Sequence, residues 1–153
     1  MMVRSGHLRA LTFALLAAAS CATAGTLTGT VRNGTTGAVV PHQDVILIEL
    51  QGSMQPAGTY KTDAQGRFTI EHPTLGQAPM LLRVPYHNVN YHHSVPPGQA
   101  TADVEVFDST TNAAALHVPQ RIIVLQPNGA VLLIGEEFSI RNDSNPRVSV
   151  FKD

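Results

Sequence analysis

Three of the seven histidines fall in YHNVNYHH, residues 86–93. Histidine is the side chain that most often binds a metal ion, so His87, His92 and His93 are the first candidates for chemistry. A hairpin turning at His87-Asn88 would set Tyr86 opposite Val89, Val84 opposite Tyr91, Leu82 opposite His93 and Arg83 opposite His92. Successive side chains on a strand point to opposite faces, so His92 and His93 would diverge. The charge of Arg83 disfavours a cation at His92. His87, in the turn, would lie roughly 10 Å or more from His92 at ~3.3 Å per residue, whereas a closed zinc site needs four ligands within about 2.3 Å of the ion. Two readings stand. One is a polar hairpin tip with a half-buried His93 and no cofactor. The other is a weak metal site that takes His92 or His93 with a loop carboxylate or another histidine.

The same stretch holds the candidate binding residues Tyr86, His87, Asn88, Tyr91 and His92. The chain has three tyrosines and no tryptophan. A carbohydrate platform wants exposed aromatic faces. Tyr86 and Tyr91 share a face with Val84 and Val89, which makes them core or rim residues if that face is covered and a platform if it is open. His42, His72 and His117 each lie near a proline in an expected loop and read as solvated. Catalysis has no visible basis. His-Glu-x-x-His, Gly-x-Ser-x-Gly, a phosphate loop and a dinucleotide fingerprint are all missing, and no nucleophile–base pair can be located.

The elements that must position these residues follow a period of two, with β-branched residues throughout. Thr26 to Val31 alternates, and Asn33-Gly34-Thr35-Thr36-Gly37 is a turn cluster. Asp44 to Leu50 is apolar at odd and even positions, the pattern of a central strand covered on both faces. Gly52 to Gly58 is expected as a loop. Thr59 to Thr62 and Arg67 to Ile70 are expected as strands joined by Asp63-Ala64-Gln65-Gly66, where Asp caps backbone N–H groups and Gly takes a left-handed conformation. Val104 to Val106 marks a further strand. About seven strands within 26–107 have the spacing of a sandwich.

Gly29-x-Val31, Pro41 followed by Val45-x-Leu47, and Thr62-Asp63-x-x-Gly66-x-Phe68-x-Ile70 together resemble the carboxypeptidase regulatory-like domain. The resemblance covers about 26–107. It implies a transthyretin-like, prealbumin/immunoglobulin-like β-sandwich, related in shape to carbohydrate-binding-like and collagen-adhesin B-type modules. On this resemblance Phe68 and Ile70 pack in the core and Asp63 and Gly66 build the corner. It implies no activity by itself. The transthyretin-like hydrolases of purine breakdown end in Tyr-Arg-Gly-Ser, and this sequence ends in Ser-Val-Phe-Lys-Asp.

The opening residues read as an export signal. Arg4 and Arg9 precede the apolar run Leu11 to Ala19 and a small-x-small site at Ala22-Thr23-Ala24. The expectation is cleavage after Ala24 and an extracytoplasmic protein, periplasmic or secreted, without a membrane span. Lipid anchoring at Cys21, the only cysteine, is the alternative. Residues 25–153 then carry a formal net charge of −3, because Arg4 and Arg9 are lost and all eleven acidic residues stay. That balance speaks against nucleic acid as a partner.

Residues 108–117 read as a polar linker, and 118–153 as a partial second β module, possibly the stub of a longer chain. Arg121 to Leu125 runs into a Pro127-Asn128-Gly129 turn, Ala130 to Ile134 and Glu137 to Ile140 return, and Val148 to Phe151 is apolar. Three strands are too few for an independent sandwich. The whole is expected to be all-β and non-catalytic. Its leading functional reading is an exported binding module for a glycan or another cell-envelope polymer. The alternatives are a docking scaffold that pairs strands of 118–151 with a protein partner, and the weak histidine metal site.

Overall fold

The computed structural model describes residues 25–52 and 54–152. The expected export signal, its cleavage point and Cys21 lie outside the described residues. Among the described residues the fold is all-β, with eleven strands and one short 3-10 turn.

Seven strands make the sandwich: β1 Gly25–Asn33, β2 Asp44–Glu49, β3 Pro56–Lys61, β4 Arg67–His72, β5 Met80–Tyr86, β6 Val89–Val95 and β7 Val104–Val106. One sheet runs β4-β1-β7, the other β3-β2-β5-β6. β1 pairs antiparallel with β4 and parallel with β7. Alternation decides what faces inward. Leu27, Val31, Phe68, Ile70, Val104 and Val106 come from the first sheet, and Val45, Leu47, Met80, Leu82, Val84 and Val95 from the second. They form one buried cluster, and burial of each such side chain contributes about 1.5–3 kcal/mol.

The corner between β3 and β4 is built as its residue types require. Gly66 has φ +73°. Asp63 Oδ1 accepts from the backbone N–H of Gln65 at 2.9 Å and of Arg67 at 2.8 Å, while Arg67 Nε donates to Oδ2 at 2.9 Å. The Arg67 backbone N–H does most to hold the Asp63 carboxyl below its ordinary value; loss of hydration opposes it, and the Arg67 side chain and the Gln65 N–H tip the balance further down. A lowered carboxylate value stabilises the fold above the unfolded value and ceases to do so as pH falls through the folded one. Asp63→Asn should therefore melt a few degrees below wild type at pH 7, with the gap closing on acidification through the carboxylate range.

The β5–β6 ladder has the register read from the sequence: Tyr86 faces Val89, Val84 faces Tyr91, Arg83 faces His92 and Leu82 faces His93. His87 and Asn88 have φ of 45° and 64°. Left-handed geometry at both central residues is the type I′ turn, whose twist matches that of paired strands.

Two stretches differ from expectation. The loop expected over 52–58 is shorter, because β3 begins at Pro56 and follows β2 through a register shift at Leu47/Ile48. β3 is an edge strand, where proline at the first position breaks no needed bond. The expected linker 108–117 is structured as well. It carries β8 Ser109–Thr110 and the 3-10 turn Ala113–Ala115, capped by the Asn112 side chain.

Beyond the sandwich, β9 Leu116–Asn128 and β10 Val131–Asn142 form a two-stranded ribbon of their own. Its turn is Gly129-Ala130, with Gly129 at φ +60°, the Gly-X pattern of a type II′ hairpin. β11 Ser149–Val150 then returns to pair in parallel with β8. The second unit is thus a long hairpin whose return segment is tied to the sandwich.

Candidate functional site

The expected binding residues at the tip of β5–β6 form a clasp. Asn33, only 4% exposed, stands where the inward alternation Leu27, Val31 would call for an apolar residue. Its Nδ2 donates to Asp108 Oδ1 at 2.7 Å and to Tyr86 Oη at 3.2 Å. Its Oδ1 accepts from the N–H of Thr35 at 2.8 Å. Thr35 Oγ1 accepts from the Asp108 N–H at 2.9 Å and donates to the Arg147 carbonyl at 2.5 Å. Ser109 Oγ donates to the His87 carbonyl at 2.6 Å, and the His87 ring stacks on Tyr86 with centroids 4.0 Å apart. Tyr91 Oη bonds the Phe107 carbonyl at 2.9 Å and Ser149 Oγ at 2.5 Å.

So Tyr86, His87 and Tyr91 are spent on holding β8 and β11, the two segments from which the ribbon departs. Tyr86 and Tyr91 are half-buried against the core. Asn88 supplies the second left-handed turn residue. Asn33, Thr35, Asp108 and Ser149 complete the clasp, and no motif pointed to them. The one available signal was a polar Asn33 on the buried face of an alternating strand.

His92 and His93 do not come together. His92 lies on the outer face and accepts from Arg83 Nε at 3.2 Å, whereas His93 is half-buried on the core face. Regular pleating sends the two rings to opposite sides, so one ion cannot take both, and the weaker metal reading is left with His92 or His93 alone beside other ligands. Among the described residues no group of three or more His, Cys, Asp or Glu side chains converges. Zn²⁺ or EDTA should leave the melting temperature of the full chain unchanged. A ligand held only by the native state at a hundred times its dissociation constant would add about 2.7 kcal/mol. A saturable rise abolished by His92→Ala would support the metal reading.

On the other sheet an open, shallow depression is lined by Thr28, Thr30, Thr69, Lys61 and Asp103, among others. Its charged groups already have partners: Asp103 Oδ1 accepts from the Thr30 N–H at 2.9 Å and its hydroxyl at 2.7 Å, and Lys61 is paired with Asp44.

The ribbon presents a different surface. Every residue from His117 to Asn142 within its strands is exposed. From Ile122 to Gly135 no residue carries a charge. The register pairs Ile134 with Leu125 and Leu133 with Gln126. One face of the tip therefore shows Ile122, Val124, Val131 and Leu133, and the other Ile123, Leu125, Leu132 and Ile134. These eight side chains are 41–67% exposed. Charges gather at the base, where Arg121 Nε lies 2.6 Å from Glu136 Oε1. A contiguous exposed apolar surface of this extent is uncommon on a monomeric protein.

No family model matches the chain, and no curated protein matches it. Solved structures give distant likenesses. (S)-allantoin synthase aligns with a TM-score of 0.42 and 12% identity, over 56% of this chain and 40% of that one. A DUF3823 family protein from Parabacteroides merdae aligns with a TM-score of 0.43 and 14% identity, over 80% and 60%. A 9R-lipoxygenase from Cyanothece aligns with a TM-score of 0.38 and 17% identity, over 67% and 18%. The chain spans less than two thirds of the length of each, and these likenesses assign no family.

Proposed function

We propose that this is an exported, non-catalytic docking module, in which a carboxypeptidase regulatory-like sandwich carries a rigidly rooted apolar arm, β9–β10, that pairs with a protein partner. The observation that carries this reading is the arm itself: uncharged from Ile122 to Gly135, aliphatic on both faces and exposed along its length. The clasp supports it, because a load on the arm is passed to the sandwich through Asp108, Ser149 and Thr35. The glycan or cell-envelope reading asks for open aromatic faces, and Tyr86 and Tyr91 are half-buried.

A bilayer suits the arm less well than protein does. In lipid a two-stranded ribbon leaves both edges unsatisfied, and a barrel that lines water needs one polar face, whereas both faces of the tip are aliphatic. The test places a photo-crosslinking residue at Ile134, and at Thr69 as a control, in cells making the full chain. A discrete protein adduct from position 134 and none from 69 is expected. Adducts to lipid alone, or none, would overturn the reading.

A further inference from the structure

Resting on the docking reading, we infer that the arm's partner is a second copy of this chain, joined through the free edge of β10. The two outer edges of the ribbon are unlike. Asn128 and Val131 flank a two-residue turn, so this pair exchanges hydrogen bonds and every second pair beyond it does so too. Pro127, opposite Leu132, then falls where the amide would point outward. Pro119 lies in the stretch where the register slips, between the Ser139–Gln120 and Arg141–His117 pairs. Proline and bulges are the devices that keep an edge strand from recruiting another. They sit on β9 alone. β10 has no proline and turns the amides of Leu132, Ile134, Glu136 and Phe138 outward.

A ribbon with one unblocked edge closes as a two-fold pair, because that edge meets its own copy. The sequence of β10 suits this. Gly135 lies mid-strand, and a Cβ built there meets nothing nearer than the Val124 Cβ at 4.0 Å, so no crowding among the described residues requires glycine. Glycine inside a strand often marks the close approach of another backbone. An antiparallel pairing centred on Gly135 sets Leu132 opposite Phe138 of the second copy and Ile134 opposite Glu136 of the second copy. No two carboxylates then face one another, and Glu136 keeps Arg121. Centring on Glu136 would oppose like charges, which destabilises a sheet.

The arm also needs the added strands. Two strands alone are marginal in water, and pairing makes four. The pairing sets the exposed Leu132 opposite Phe138 of the second copy, and apolar cross-strand pairs stabilise a sheet.

Ile134 and Leu125 face each other across the ladder and both amides point outward, so Ile134→Pro and Leu125→Pro remove similar apolar surface and differ in which edge they blunt. Light scattering on the purified full chain should give twice the chain mass, or a multiple of it. Ile134→Pro should reduce this to the monomer and Leu125→Pro should leave it unchanged. In cells, the adduct from position 134 should also have twice the chain mass. A monomer at every concentration, or equal effects of both substitutions, would overturn the β10 pairing. An adduct of a different protein mass would overturn the second copy while leaving the docking reading in place.

Discussion

Gly29→Ala should unfold the sandwich under conditions in which the wild type is intact, at a cost of about 3 kcal/mol or more. A Cβ at this position would lie 1.8 Å from the Ala102 carbonyl oxygen and 2.7 Å from Phe68 Cζ. The oxygen has little room to yield. Ala102 donates its N–H to the Thr28 carbonyl at 2.8 Å, and Thr28 donates to the Ala100 carbonyl at 3.0 Å, so the clash falls on the bonds that dock residues 100–102 beside β1. Phe68 is buried in the core and cannot swing away without opening a cavity. Denaturant unfolding followed through a tyrosine signal would read the loss. Gly135→Ala, where a Cβ has space, should leave the unfolding of the sandwich unchanged.

Asn33→Asp should cost about 2–4 kcal/mol at pH 7, from an unmade buried bond and a desolvated charge. The Asn33 Nδ2 that donates to Asp108 Oδ1 at 2.7 Å would become a second carboxylate oxygen facing the first. Two such carboxylates cannot both ionise freely, so at least one would be protonated at a higher pH folded than unfolded. A raised folded value stabilises below it and loses that contribution as pH rises through it. The difference between variant and wild type should therefore shrink on acidification. Hydrogen exchange should localise the damage at pH 7 to residues 33–37 and 107–110, where repulsion between the two carboxylates pushes apart the segments that the Thr35 and Asp108 N–H groups join. Unchanged exchange there would mean that the clasp does not hold the base of the arm.

The sandwich was legible in the sequence because its signals are local. Asp63 and Gly66 announce a corner, Phe68 and Ile70 alternate, and His87-Asn88 can turn a hairpin of only one register. The same pleating rule that fixed that register also separated His92 from His93. The clasp was not legible, because its bonds join residues far apart in the chain: Asn33 and Asp108 are 75 positions apart, and Tyr91 and Ser149 are 58. Residues 108–117 looked like a linker for the same reason. Small polar residues read as loop until a partner strand, β11, arrives from beyond the arm. The arm's strands were visible in outline, but their exposure was not. A run such as Ile122-Ile123-Val124-Leu125 reads as core, and only the three-dimensional arrangement shows that it is exposed among the described residues.

The parallel pairing of β1 with β7 has a consequence in time. β1 finds this neighbour only after some seventy intervening residues are placed, as the 73-position span from Thr30 to Asp103 shows. Pairings of such long range are slow to form. The arm, closed by a two-residue turn, is local, and hairpins form in roughly 1–10 μs. Each refolding chain therefore displays its apolar ribbon while its sandwich is still open. Closure of β1 on β7 is independent of how many chains are present, whereas the meeting of two ribbons is not. Recovery from denaturant should accordingly show two phases, one for closure of the sandwich that does not depend on protein concentration and one for pairing of the arms that quickens as the concentration rises.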